Sequence, residues 1–285
     1  MDRNFRKKTI AYLLKNAGVV SDLVEKTLNI TSPSSFKEAF LKTPPGKARE
    51  ELIYNELTKR GPPKQLVPVT VDGPGGTKIT YRVMPDYVMI DGIRVTMAPA
   101  TAQRVADFLK MKLPTDKMSK QIYQAADTKV RAVPLSSGGY IGADGKHYSA
   151  KDVVENRIGK SDAALEYSRM TDVEIAKLQQ QRGQVPTLIS GHGKEIIQPL
   201  GNPKDVSFGG WQGQDGKEAQ PYETAHPEGA GIHSEYAMYS RLMDENATIT
   251  TPDGRTIATT VDDLQNDPVF SKFVATIPGV KRYHT

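Results

Sequence analysis

The apolar residues of the chain keep a helical spacing up to residue 60 and change to the alternation of strands soon afterwards. Over residues 47–59 they fall roughly on one face, as in an amphipathic helix. Gly61-Pro62-Pro63 then interrupts the pattern, because neither residue type readily continues a helix. We therefore predict a helical N-terminal region over residues 1–63 and a second domain over residues 64–285.

Strand patterns follow this boundary. Residues 66–71 and 78–83 are rich in β-branched residues and flank a glycine-rich turn. Residues 87–90 and 93–95 flank Asp91-Gly92, a dipeptide that readily adopts the type I′ turn of a two-residue hairpin. The pattern therefore predicts neighbouring antiparallel strands.

Helical spacing returns in the middle of the chain. Residues 101–111 carry apolar side chains at i, i+3, i+4 and i+7, which predicts a helix with one buried face. Residues 115–130 repeat this pattern, with Thr115 or Asp116 as the N-cap. The stretch Thr171-Asp172-Val173-Glu174 has the form of a capping box, so we predict that a helix begins there.

The order of these elements indicates the fold class. Beyond residue 185 the chain consists mostly of strands and turns, and residues 247–250 are expected to pair with residues 256–259. Strands and helices thus come in blocks and do not alternate strictly. This order predicts an α+β fold, with a mostly antiparallel sheet and packed helices, preceded by the helical N-terminal region.

Composition and charge narrow the classes of function. The net charge of +5 comes from residues 1–70, which hold 13 basic and 7 acidic residues. Because acidic residues are interspersed with the basic ones, nucleic-acid binding is disfavoured. No apolar run reaches the length of a membrane span. The chain has no cysteine and no classical signal peptide, so we expect a cytoplasmic protein or one exported without such a peptide.

The candidate chemistry lies in residues 189–243. His192, His226 and His233 fall within 42 residues, among glycines. Gly191-His192-Gly193 places an imidazole on a bare turn that a substrate can approach closely. Three interpretations remain open: a zinc site that activates water, metal-free acid–base or nucleophilic catalysis with Ser240 or a tyrosine, and ordinary hydrogen-bonded loop histidines. The chain has no compact zinc motif and no serine elbow motif.

Other side chains in the same stretch have alternative interpretations. Trp211 has two interpretations. Its ring stacks on a sugar or a planar substrate, or it anchors the hydrophobic core. Tyr236 and Tyr239 are three residues apart on a predicted strand and should face opposite ways. Lys194 and Glu195 fit a solvated ion pair, or a contact to an oxyanion or carboxylate.

A specific block in the middle of the chain comprises Pro85-Asp86-Tyr87, Arg94-Val95, the run from Thr96 to Arg104, Leu113-Pro114-Thr115 and Ile122-Tyr123-Gln124-Ala125-Ala126. This block resembles a family of uncharacterised bacterial proteins without an established activity. Further similar segments are Gly191-His192-Gly193-Lys194-Glu195, Gly209-Gly210-Trp211-Gln212, Thr224-Ala225-His226 and Tyr236-Ala237-Met238-Tyr239-Ser240-Arg241. The resemblance covers residues 48–282 and implies that a polar site lies in the C-terminal half.

This chain departs from the family's pattern at three polar positions. Gln212 and Arg241 stand where the family has histidine, and Met238 stands where it has aspartate. If the family's polar set is catalytic, this copy has an altered or inactive site. Whether it is an enzyme therefore stays open.

We hypothesise a hydrolase-like or hydrolase-derived protein that acts on an amide, ester or glycan bond, such as cell-wall material. The alternative is a non-catalytic structural or binding component of a phage particle or secretion assembly, whose partner is a second copy or another component. The candidate catalytic residues are His192, His226, Tyr239 and Ser240. The candidate substrate-binding residues are Lys194, Glu195, Trp211, Gln212, Tyr236 and Arg241. A zinc ion, if bound, would use His192, His226 and His233.

Overall fold

The computed structural model describes residues 35–130, 140–141, 147–148, 163–183, 187–201, 206–211, 218–225 and 238–283. The chain divides into two compact units, Met1–Ala39 and Phe40–Thr285. Apart from the first residues of helix α1 (Phe36–Lys42), the architecture that follows belongs to the second unit. Residues 1–34 of the predicted helical region lie outside the described residues.

Helices and strands alternate in blocks along the chain. The helices are α1 (Phe36–Lys42), α2 (Lys47–Arg60), α3 (Pro99–Phe108), α4 (Asp116–Ala125), α5 (Ala163–Arg182), α6 (Val261–Asn266) and α7 (Ser271–Val274). The strands are β1 (Val67–Asp72), β2 (Lys78–Val83), β3 (Met89–Ile90), β4 (Ile93–Arg94), β5 (Met111–Lys112), β6 (Thr128–Lys129), β7 (Tyr140–Ile141), β8 (His147–Tyr148), β9 (Ile189–Ser190), β10 (Lys194–Ile196), β11 (Val206–Trp211), β12 (Glu218–Ala225), β13 (Met238–Ser240), β14 (Met243–Thr250) and β15 (Thr256–Thr260).

A five-stranded antiparallel sheet forms the centre of the second unit. Its strands follow the order β1-β2-β14-β15, and β5 also pairs with β14. One face of β2 carries the fully buried Ile79, Tyr81 and Val83, because alternate side chains of a strand point to the same side. This face packs against Met118 and Ile122 of α4 in the main core cluster. Helices packed on an antiparallel sheet confirm the predicted α+β class.

A smaller four-stranded sheet carries five of the candidate residues, which are Lys194, Glu195, Trp211, Tyr239 and Ser240. Its order is β12-β11-β10-β13, with β10 antiparallel to β11 but parallel to β13. The Tyr283 hydroxyl joins the last described residues of the chain to this sheet by hydrogen bonds. It donates to the Ile197 carbonyl at 2.5 Å and accepts from the Ser207 amide at 3.1 Å.

Several local predictions are confirmed in detail. Asp91 and Gly92 have φ angles of 48° and 77°, as a type I′ turn between β3 and β4 requires. Thr115 is the N-cap of α4, where its hydroxyl accepts a hydrogen bond from the Met118 amide at 3.1 Å. The predicted pairing of 247–250 with 256–259 is present as the hairpin of β14 and β15.

Two predicted helix boundaries are wrong. No helix begins at Thr171, because that residue lies inside the continuous helix α5, where it is only 1% exposed. The capping-box pattern therefore occurs within a helix that starts about two turns earlier. The helix predicted over 115–130 ends at Ala125, since the following residues enter β6, which pairs in parallel with β9.

Candidate functional site

His192 lies in the short turn between β9 and β10, and its side chain is completely buried. The two glycines beside it are required by close packing. Gly191 has a φ angle of 98°, and a Cβ there would lie 2.6 Å from the Val130 carbonyl oxygen. A Cβ on Gly193 would lie 2.5 Å from the Tyr239 ring. The space beside the backbone is therefore filled by the protein itself, which differs from the predicted open approach for a substrate.

His192 and Asp86 form a buried pair. The His192 Nε2 atom lies 2.8 Å from the Asp86 Oδ1 atom. Asp86 follows β2 in the chain and is held by its own neighbour, since the Tyr87 amide donates to Oδ1 at 2.6 Å. The other imidazole nitrogen, Nδ1, is buried and has no hydrogen-bond partner among the described residues. The pair thus fixes one ring nitrogen and leaves the other available.

Arg94 holds the opposite side of the same carboxylate. Its Nε and Nη2 atoms donate to Asp86 Oδ2 at 3.0 and 2.6 Å, and its Nη1 atom pairs with Asp172. The Arg94 amide donates to the Ser168 hydroxyl at 2.9 Å. Ser168 and Asp172 lie one helical turn apart on α5, so Arg94 joins that helix to the β3–β4 hairpin and to the histidine.

These contacts set the charges of the pair. Burial alone would raise the pKa of Asp86, but its interactions with His192 and Arg94 outweigh burial, so the net pKa lies below its ordinary value. Asp86 is therefore an acceptor, and the Nε2 atom of His192 carries the proton. Burial lowers the pKa of His192 below its ordinary value. Asp86 opposes this effect, and the nearby Arg94 and Arg241 add to it. The imidazole is consequently neutral at pH 7, with a lone pair on Nδ1.

Tyr87 lies between the histidine and a second tyrosine. Its ring centroid is 4.3 Å from that of His192 and 5.2 Å from that of Tyr239, on which it stacks nearly parallel at 2°. Its hydroxyl donates to the Gly193 carbonyl at 3.3 Å, and the Arg241 guanidinium carbon lies 5.1 Å from its ring centroid. Tyr87 thus connects three candidate residues, His192, Tyr239 and Arg241, which come from two separate segments of the sequence.

A second buried network adjoins the first. Neither Arg241 nor Glu195 has an exposed side chain, and Nε of Arg241 lies 3.3 Å from Oε1 of Glu195. The other Glu195 oxygen accepts from the Ser119 hydroxyl of α4. Arg241 also donates to the Met84 and Ile189 carbonyls at 2.5 and 2.6 Å. Glu195 is therefore not part of a solvated ion pair.

Two hydroxyls of β13 remain without a partner in the described part of the chain. They are the Tyr239 and Ser240 hydroxyls, and both are buried. Burial raises the pKa of Tyr239, so this hydroxyl keeps its proton at neutral pH. Unpaired buried polar groups are unfavourable and are a feature of functional sites. The Ser190 hydroxyl of β9 is also buried without a hydrogen-bond partner among the described residues.

The structure thus brings His192 and Tyr239 into one cluster around Tyr87, and places Glu195 and Arg241 beside it. Lys194 and Ser240 lie on the paired strands β10 and β13. Trp211 ends β11, where only its backbone is described. The other predicted residues, Gln212, His226, His233 and Tyr236, lie outside the described residues.

The described segments contain neither a cluster of metal-ligating side chains nor a membrane-spanning helix. There, no three His, Asp or Glu side chains are grouped as a metal site. The predicted zinc trio is untested, because His226 and His233 are not described. None of the described helices is long and apolar enough to cross a membrane.

The site contains residues that the candidate set did not include. Asp86, Tyr87 and Arg94 provide its central carboxylate, aromatic ring and cation, and Ser119 binds Glu195. The first three belong to the block that carries the family resemblance. That block was therefore the feature of the sequence that could have indicated these residues. A comparison of the chain with protein-family models, curated proteins and solved structures finds no match.

Proposed function

We propose that the chain is a hydrolase-like protein in which His192 is the general base and Asp86 orients it. The observation that carries this proposal is the 2.8 Å contact of Asp86 with His192 Nε2, together with the unpartnered Nδ1 atom. In hydrolases that use a histidine base, a carboxylate holds one imidazole nitrogen and thereby selects the tautomer whose other nitrogen accepts a proton. The substrate bond is an amide, ester or glycan bond, with cell-wall material as the leading example.

The neighbouring groups suit this chemistry. A neutral imidazole is the form that accepts a proton from water or from a hydroxyl. The protonated Tyr239 hydroxyl and the Ser240 hydroxyl have hydrogen-bonding capacity that the described residues do not use. Such donors can stabilise negative charge on the substrate's oxygen as the bond breaks. Because His192 is fully buried, its packing must open for a substrate, so turnover of generic substrates is expected to be slow.

The experiment measures hydrolysis of p-nitrophenyl esters, aminoacyl p-nitroanilides, chromogenic glycosides and dye-labelled peptidoglycan by the purified chain. His192→Gln and Asp86→Asn should lower kcat about 100-fold or more on the substrate that is cleaved. Tyr283→Phe is the matched control, because it removes a buried hydrogen-bonding group from the same sheet without touching His192. Circular dichroism confirms that each variant is folded. Equal rates for folded His192→Gln and the wild type would exclude the proposal.

The second candidate is a non-catalytic component of a phage particle or secretion assembly. The full burial of Arg241 and Glu195, whose charged groups bind each other, the Ser119 hydroxyl and two backbone carbonyls, favours it. Such networks hold segments together and need no ligand. Size-exclusion chromatography with light scattering tests this candidate: a ring or filament of many copies supports it, and activity lost only on His192 substitution contradicts it.

A further inference from the structure

The five-stranded sheet has an edge that is open within the described part of the chain. Strand β15 pairs with β14 on one side and has no strand on the other. The Thr251 amide donates to the Arg255 carbonyl at 2.8 Å where the hairpin begins. Because hydrogen-bonding direction alternates along an antiparallel strand, the amides of Thr256 and Ala258 point away from β14. An open strand edge of this kind is a template for another strand.

A row of apolar side chains, which crosses the four strands, ends at this edge. The strand registers align Val71, Ile79, Ile249 and Ile257 across the four strands, on the face that bears the core. Ile79 is completely buried, whereas Ile257 at the end of the row is 51% exposed. A further strand beside β15 would cover Ile257 as β14 and its neighbours cover Ile79. The edge therefore offers both backbone groups and an apolar side chain.

The opposite edge of the sheet is protected against pairing. Strand β1 contains Pro68, which lacks an amide hydrogen, and ends at Asp72, which pairs with Lys78. Proline and charged residues are common protections of edge strands. Strand β15 has the sequence Thr-Ile-Ala-Thr-Thr, with neither proline nor charge. Head-to-tail growth from β15 of one copy to β1 of the next is therefore disfavoured.

We propose that β15 pairs antiparallel with β15 of a second copy, around a twofold axis at Ala258. In this register Ile257 faces Thr259 of the second copy and packs against its methyl group. Thr256 faces Thr260, and no charged side chains of the two strands meet. The charged residues that flank the strand, Arg255 and Asp262, already have partners within one chain, which are Asp253 at 2.8 Å and Lys112 at 2.6 Å. The interface is self-complementary, as a closed dimer requires.

The absence of cysteine allows a direct test, because a single introduced cysteine can form a disulfide only between copies. In the Ala258→Cys variant the two thiols oppose each other across the axis, at the separation typical of paired strands and of disulfides. Under mild oxidation this variant should become a covalent dimer. Thr70→Cys, exposed on the protected edge strand β1, is the control and should remain a monomer. Equal cross-linking of both variants overturns the proposal.

Light scattering on the full chain provides the second measurement. The wild type should form a dimer whose population increases with concentration, and Ile257→Lys should shift it to monomer because a charge enters the paired face. Thr70→Lys should leave the dimer unchanged. Since Ile257 is half exposed, its replacement should leave the thermal unfolding midpoint of the monomer within a few degrees. A monomeric wild type at every concentration, an unbounded assembly, or a dimer that survives Ile257→Lys overturns the proposal.

Discussion

Arg241 and Glu195 form an ion pair from which solvent is excluded on both sides. They belong to the parallel strands β10 and β13 or follow them directly, so the pair reinforces a strand contact that no hairpin supplies. Arg241 also has two carbonyl partners, on segments 84 and 189. Its guanidinium therefore joins several separate parts of the chain.

Glu195→Gln should destabilise the protein by about 3 to 5 kcal/mol, because it leaves the Arg241 charge buried without its counter-charge. Arg241→Met should have a similar cost. The double variant should cost clearly less than the sum of the two, since the residues interact directly. Urea unfolding of the four proteins measures this coupling. Additive losses would show that the pair contributes no interaction energy of its own.

Arg94→Lys should be destabilising by about 2 to 3 kcal/mol, although the charge is conserved. A lysine ammonium cannot reproduce the two hydrogen bonds that converge on Asp86 Oδ2 together with the further contact to Asp172. Asp172→Asn is the control, because the Asp172 side chain is 51% exposed and should contribute about 1 kcal/mol or less. Chemical unfolding compares the two. A larger loss for Asp172→Asn would contradict the assigned roles.

Gly193→Ala should destabilise the protein by about 1 to 3 kcal/mol, because the new methyl group overlaps the Tyr239 ring at 2.5 Å. Gly201→Ala is the control. It introduces the same methyl group where no atom lies within 4 Å, so stability should change by about 0.5 kcal/mol or less. Thermal unfolding gives both values. An unchanged melting temperature for Gly193→Ala would mean that the Tyr239 ring is not packed against this turn.

Stability should fall as the pH decreases from 7 to 5. Burial lowers the pKa of His192, so below pH 6.5 the unfolded chain takes up a proton that the folded chain excludes. The loss approaches about 1.4 kcal/mol per pH unit for one such group. Asp86 has a lowered pKa, and its stabilising contribution is lost only in more acidic solution, as the pH falls below about 4.

The urea midpoint, measured from pH 8 to pH 5, tests the contribution of His192. His192→Gln keeps a side chain that can bond to Asp86 but does not titrate, so its midpoint should depend less on pH than that of the wild type. Parallel pH profiles for the two proteins would assign the effect to other groups.

Local features of the fold could be predicted because local residues determine them. Asp91-Gly92 permits positive φ angles at both positions, and Thr115 caps the helix that follows it. The start of α5 was mispredicted for the same reason. A capping-box pattern describes only four residues, and the packing that keeps Thr171 inside a longer helix involves distant segments.

The candidate site could be predicted only in part. The sequence indicated His192, Tyr239, Glu195 and Arg241 as chemistry-bearing residues of one stretch. It gave no means of pairing His192 with Asp86, which lies 106 residues earlier in the chain. Nor did it show that Glu195 is buried, since a Lys-Glu dipeptide after a turn is more often solvated. Side-chain partners across the fold depend on the tertiary structure.

The parallel pairing of β10 with β13 has a consequence for the order of folding. Two parallel strands cannot be joined by a tight turn, so this contact waits until residues 197–237 have been arranged. The hairpins β1–β2 and β14–β15 have no such delay. The ring stack of Tyr87 on Tyr239 and the Arg241 ion pair therefore form after these two hairpins, as does the β2–β14 contact that joins the hairpins into one sheet. An early stage of folding is expected to contain the hairpins but not the polar cluster.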